Sequence, residues 1–324
     1  MTHPGPHLPG PHDPASHRHR PGFTAQAHSQ PHGHTHAHTH GEGGHPAPGT
    51  DPNAGLAEIL DLDAELFAGH LASVTGRIAD LARGAVTHIV DLGAGTGAGT
   101  FALLARFPTA RVTAVDSSAA MLARLDDAAR AKGLGDRVHT VEADAGVGLP
   151  GIADADLVWA SASLHHLDDP NRALAGIRGA LRPGGLLAVA ELDGMPRFLP
   201  GDAVTDRPGL EERCREALSE LRAQQLPHLG TDWGVLLAAA GLTVEQEHTE
   251  RLELRAPLPA GTGRYAHLVL SRVRGAVDAL MPPVDLAALD ALLDGGPQDV
   301  RHRDDLVVRS VRETWLARRP EARP

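Results

Sequence analysis

The sequence predicts an α/β fold in which a parallel sheet is covered by helices on both faces. Three observations predict it. From Leu56 onward, short β-branched runs alternate with runs of helical apolar spacing, the connections between them are brief, and three glycines (Gly93, Gly95 and Gly97) follow the first β-branched run directly. In open parallel sheets ligands bind beyond the carboxyl ends of the strands, so the loops after each strand are where chemistry is expected.

The elements follow in order. Leu56 to Arg83 has apolar positions at helical spacing and predicts one or two leading helices. Ala85 to Leu92 (AVTHIVDL) is the first strand, ending in an acid and the glycine cluster. Thr100 to Phe107 is a helix stopped by Pro108. Arg111 to Asp116 (RVTAVD) is the second strand, after which Ser117 caps a helix from Ser118 to Lys132. Arg137 to Ala143 and Asp156 to Ala160 are the third and fourth strands. Pro170 to Leu181 is a helix closed by Pro183-Gly184-Gly185, and Leu186 to Leu192 is the fifth strand. Helices are expected at Pro208 to Leu226 and Thr231 to Ala240, and strands at Leu242 to Leu254 and Leu306 to Arg318. Between these last strands one more helix would carry Tyr265, Val269, Val273, Val277 and Leu280 on one side.

Residues 1–55 are of another kind. They are rich in Pro, Gly and His, hold twelve of the chain's 21 histidines, and have too little apolar surface to offset chain entropy, so a disordered tail is expected. In an extended conformation His32, His34, His36, His38 and His40 would share one face, a composition that binds divalent metal adventitiously. The start MTHPGPHLPG has neither a charged lead nor an apolar run, and no window reaches the ~18 apolar residues of a membrane span, so a secretory signal and a membrane partner are not expected. Cys214 alone can make neither an internal disulfide nor a cysteine-based metal site; a cytoplasmic protein is the expectation. The net charge of −11 resides almost wholly on the remainder of the chain, since Arg18 and Arg20 offset Asp13 and Glu42 in the tail. An acidic body argues against nucleic acid as a partner.

The glycine cluster carries the chemistry. Glycines at a strand-to-helix turn allow tight backbone and close approach of a ligand, and Asp116, ending the second strand, can accept hydrogen bonds from a ribose diol. Gly93-Ala94-Gly95-Thr96-Gly97-Ala98 satisfies the alanine variant of the dinucleotide fingerprint, so a nicotinamide-dependent oxidoreductase is one alternative. A metal-handling protein working through the histidine tail is another.

Asp91-Leu92-Gly93-Ala94-Gly95-Thr96-Gly97 resembles the first motif of class I S-adenosylmethionine-dependent methyltransferases. The resemblance continues in family order through AVDSS with Asp116, VEADA with Asp144, DLVWASASLHHLDDP (156–170) and LRPGGLLAVAEL (181–192). It implies a Rossmann-like sheet of seven strands, mostly parallel, with an antiparallel final strand inserted between the fifth and sixth. It implies a domain over 56–319, with lid-like insertions at about 195–232 and 256–296. It implies S-adenosylmethionine as cofactor and in-line transfer of its methyl group to a small-molecule acceptor. By the same resemblance, Gly93, Ala94, Gly95, Thr96 and Gly97 pack on the methionine moiety and ribose, and Asp91 orients the loop or the amino group. Asp116, with Ser117 beside it, holds the ribose hydroxyls, Asp144 and Ala145 lie at the adenine, and Ser161 faces the sulfonium.

Methyl transfer from a sulfonium needs orientation and exclusion of water, and a base only where the acceptor must lose a proton. His165 and His166, past the fourth strand, are the candidate bases. Asp193 is placed toward the pocket mouth, and Arg197, His228, Trp233 and Tyr265 lie in segments able to form an acceptor wall. Trp159 is expected in the core, as is Cys214.

Overall fold

The computed structural model describes residues 54–149, 151–201, 207–226 and 228–321; the tail with His32, His34, His36, His38 and His40 lies outside the described residues. The leading segment is two helices, α1 (Ala54–Leu66) and α2 (Ala68–Leu81), broken at Phe67. Then come β1 (His88–Leu92), α3 (Ala98–Arg106), β2 (Arg111–Asp116), α4 (Ala119–Ala131), β3 (Val138–Glu142) and β4 (Ala155–Ser161). They are followed by α5 (Pro170–Ala180), β5 (Leu181–Leu192), α6 (Leu210–Gln225), α7 (Trp233–Ala239) and β6 (Thr243–Leu254). The last elements are α8 (Thr262–Ala276), α9 (Pro283–Ala291) and β7 (Val308–Arg318).

The strands form one sheet in the order β3-β2-β1-β4-β5-β7-β6. Pairing is parallel from β3 to β5, and β7 runs antiparallel between β5 and β6. The seven-stranded, mostly parallel architecture is therefore the expected one, with the final strand antiparallel as anticipated.

Period-two alternation separates two cores. Ile89, Leu157, Trp159, Leu186, Ala188 and Leu316 face the layer of α2, α3 and α4. Val90, Val158, Ala160, Leu187, Val189, Trp315 and Ala317 face α5 and α7. A third apolar cluster is built apart from the sheet faces. Leu66 and Phe67 meet Leu210, Cys214 and Leu218 of α6, Tyr265, Val269 and Val273 of α8, and Leu289 of α9. The segments around 195–232 and 256–296 thus share a core with α1. Cys214 is buried there, and burial pushes its thiol up to about 11.

Several boundaries differ from the sequence expectation. The cap of α4 is Ser118 rather than Ser117: its extended backbone lets Oγ accept from the Met121 amide at 3.3 Å. β1 begins at His88, since the amides of Thr87 and His88 are taken by the Asp156 carboxylate at 2.8 and 3.0 Å. β5 begins at Leu181, paired to Ala155, and Pro183-Gly184-Gly185 forms an irregularity within it instead of a turn before it. Trp233 is not on an acceptor wall: it is 1% exposed within the α5–α7 core.

Candidate active site

The glycine loop between β1 and α3 is folded over the end of β2. The Gly93 and Ala94 amides both donate to the Val115 carbonyl, at 2.8 and 3.1 Å, and the Gly95 amide donates to Asp116 Oδ2 at 2.9 Å. Gly93 and Gly95 have φ of +68° and +52°, a region that L side chains rarely adopt. Gly93 is also constrained by space. A Cβ there would lie 2.5 Å from the Ser163 Cβ, because Ser163 crosses the loop and donates its hydroxyl to the Leu92 carbonyl at 3.0 Å. At Gly95 the neighbour a Cβ would meet is the tip of Leu60 at 3.1 Å, across the space that the loop encloses.

That space is a cavity of about 230 Å³. Its floor is the sheet end: Asp91, the loop from Gly93 to Thr96, Trp159, Ser161 and Glu191. Its roof is Phe67 and His70 from the leading helices, with Met195, Tyr265 and Arg312. The lining is mostly apolar with few polar groups, as small-molecule sites are. Gly97 is adjacent at the start of α3. Asp116, Ser117, Asp144 and Ala145 stand at the ends of β2 and β3, beside the loop but outside the cavity lining.

Asp91 is 2% exposed and accepts a hydrogen bond from Thr100 Oγ1 at 2.6 Å, with the Thr100 backbone amide also donating to it. Burial pushes its carboxyl up to about 7, with the Asp116 charge adding and the Thr100 bond opposing. The candidate bases part company in the structure. His165 is buried, its Nδ1 2.6 Å from Glu191 Oε2, and lies behind the cavity wall. His166 is exposed, its ring tilted against that of His165 with centroids 4.2 Å apart. Glu191 itself lines the cavity, and its Oε1 accepts from the Ser163 and Leu164 amides at 3.2 and 2.9 Å.

At the roof, Asp63 Oδ1 accepts from the Tyr265 hydroxyl at 2.6 Å and from Arg312 Nη2 at 2.7 Å. The Arg312 guanidinium sits 4.2 Å from the centre of the Phe67 ring. Burial, then Asp63, pushes the Tyr265 phenol well above its ordinary range, so it is a fixed donor. His70 Nδ1 donates to Glu250 Oε2 at 2.8 Å, and burial lowers the His70 pKa despite that partner. Of the other wall candidates, Arg197 is bridged to Arg309 of β7 and only Tyr265 reaches the cavity. Asp193 donates its amide to Val311 beside the cavity lining.

Sequence reading missed Asp63, Phe67, His70, Glu191 and Arg312. Glu191 had a signal, since it ends β5 on the same sheet edge as Asp91 and Ser161. The others are set by long-range packing. Among the described residues no cluster of His, Cys, Asp and Glu could hold a metal ion, and no helix is long and apolar enough to cross a membrane.

The left-handed glycine loop, the buried acid before it and an apolar cavity above it fit the methionine end of S-adenosylmethionine. Comparison with known proteins agrees. A model described as a methyltransferase domain matches residues 90–187. The trans-aconitate 2-methyltransferase of Paracidovorax citrulli (strain AAC00-1) is 34% identical over 167 residues, 51% of this chain and 61% of that protein. The protein of the same name from Acidovorax sp. (strain JS42) is 30% identical over 232 residues, 72% of this chain and 80% of its own length. The one from Acidovorax ebreus (strain TPSY) is 31% identical over 217 residues, 67% of this chain and 74% of its own. These relatives lend nothing to the nicotinamide or metal-handling readings. With the motifs in order, the sheet they predicted and a relative 30% identical over 72% of this chain, the protein belongs to the class I S-adenosylmethionine-dependent methyltransferases.

Proposed function

We propose that this chain transfers the methyl group of S-adenosylmethionine to a small-molecule acceptor. The observation that carries the reading is a single cavity, floored by the glycine loop and roofed by α1, α2, α8 and β7, with room for a cofactor end and an acceptor together. The cofactor supplies an electrophilic methyl on a sulfonium. The chain's part is to hold, orient and dehydrate. Gly93 to Gly97 pack against the methionine end, ionised Asp91 pairs with its amino group, and Ser161 borders the reacting sulfur. Asp116 and Ser117 take the ribose, and Asp144 and Ala145 the adenine edge. The segments at 195–232 and 256–296 work as a lid, contributing Met195, Pro196, Tyr265 and Val269 to the wall and keeping water out. Where an acceptor must lose a proton, the Glu191–His165 pair is the group in reach, with Glu191 facing the cavity and His165 behind it.

The relatives' names put trans-aconitate first among acceptors to assay. The test of the reading itself is calorimetric titration of the chain with S-adenosylhomocysteine, beside an Asp116→Ala control. Micromolar binding that the substitution weakens at least tenfold supports it, and a folded chain that binds nothing overturns it.

A further inference from the structure

The charges around the cavity are unequal in number and in availability. Asp63, Asp91 and Glu191 are carboxylates, and Arg312 is the one guanidinium among the described lining residues. His70 adds no second cation at neutral pH, because burial lowers its pKa further than Glu250 restores it. Asp91 belongs to the glycine-loop end. Both oxygens of Glu191 are already engaged, Oε1 by two amides and Oε2 by His165.

What remains for an acceptor is Arg312. Its Nη2 is committed to Asp63, which Tyr265 also holds, and its flat face rests on Phe67. Its buried Nε has no hydrogen-bond partner among the described residues. A guanidinium locked by a carboxylate on one donor and an aromatic ring on its face keeps the rest of its fork in a fixed orientation, suited to a planar anion.

We propose that Arg312, held by Asp63 and Phe67, is the carboxylate subsite of the acceptor, and that it selects an acceptor with a single carboxylate on an apolar body over a polycarboxylate. The inference rests on the methyltransferase reading and departs from the tricarboxylate in the relatives' names. One fork matches one carboxylate. A second or third would leave water for a space lined by apolar side chains and by Asp63 and Glu191, with no further cation among the described lining residues to meet it. Such unpaired charge is how a site rejects a competitor. Methylation of that carboxylate balances simply. A carboxylate oxygen forms the new bond to the methyl carbon, the sulfur–methyl bond breaks with its electron pair staying on sulfur, and a methyl ester and S-adenosylhomocysteine result. No proton is removed, in keeping with a Glu191–His165 pair whose hydrogen bonds are already made.

The test uses the full chain saturated with S-adenosylhomocysteine, titrated in a calorimeter with trans-2-hexenoate, trans-aconitate and hexylamine. Ester formation from S-adenosylmethionine is followed in parallel. Hexenoate is expected to bind at least about tenfold tighter than either competitor and to be esterified. Arg312→Met should weaken hexenoate about tenfold with the affinity for S-adenosylhomocysteine kept. Asp63→Asn should narrow the gap between hexenoate and trans-aconitate about threefold or more, because it removes the repelling charge. Tighter binding of trans-aconitate or hexylamine, no binding of hexenoate, or indifference of hexenoate to Arg312→Met overturns the inference while leaving methyl transfer standing. Failure of S-adenosylhomocysteine to bind, read before any acceptor is added, overturns the methyltransferase reading and this inference with it.

Discussion

If Asp91 holds the cofactor's amino group as proposed, cofactor affinity depends on pH, and the size of the effect follows from the surroundings of the carboxyl. The carboxyl is 2% exposed, is hydrogen-bonded by Thr100 Oγ1 at 2.6 Å, and is pushed up to about 7 by burial. In the proposed site the ammonium form of the cofactor's amino group would pair with the ionised acid. Between pH 8 and pH 6 the ionised fraction of a group titrating at 7 falls about tenfold, which is a loss of about 1.4 kcal/mol in binding. Calorimetric titration with S-adenosylhomocysteine at pH 6, 7 and 8 should therefore show a tenfold weakening on acidification. In buffers of different ionisation enthalpy, nearly one proton should be released per binding event at pH 6. The stability of the free chain should move the other way through this group. A carboxyl whose folded pKa is raised contributes stability that is complete below its unfolded value near 3.8 and is lost as pH rises through 7. Asp91→Asn should bind more weakly at pH 8 and show a flat profile, since the amide cannot titrate. His70, which also lines the cavity, is unchanged in that variant, so a wild-type slope that persists in Asp91→Asn would refute the assignment. A flat profile in the wild-type chain would refute it as well.

Gly93→Ala should lower the melting temperature and weaken S-adenosylhomocysteine together. The new Cβ would meet Ser163 at 2.5 Å on a backbone of φ +68°, a cost of about 2 kcal/mol. Glu191→Ala strands the Ser163 and Leu164 amides and His165, and should cost about 3 kcal/mol in urea denaturation. Glu191→Gln, which keeps an acceptor for the amides, should cost clearly less. Deleting residues 1–50, which hold twelve of the chain's 21 histidines, should abolish Ni²⁺ binding measured by titration while leaving the affinity for S-adenosylhomocysteine as it was, because no described residue that lines the cavity falls within them.

How much of this was legible in the sequence follows the range of the forces involved. β2 could be read to the residue, because a proline-stopped helix precedes it and its final acid, Asp116, leads into two serines that open the next helix. The cofactor half of the cavity was legible for the same reason: Asp91, the glycines and Thr100 lie within one strand–turn–helix unit, and local backbone geometry dictates them. His165 and His166 mark the limit of that reading. Adjacent in sequence and with rings 4.2 Å apart, they differ in burial, His165 sealed against Glu191 from a strand away and His166 exposed. The acceptor half had no local signature at all. The periodicity of α8 shows that Tyr265, Val269 and Val273 share a buried face, yet it cannot say that α1 supplies Leu66 and Phe67 to cover them. Asp63 and Arg312 are 249 residues apart and meet only because β7 is inserted beside β5 under the leading helices. A motif search therefore finds the half of the site that the family shares. The roof half is a product of tertiary packing, so on the proposed reading two chains with one glycine loop would differ in acceptor through a single long-range pair such as Asp63 and Arg312.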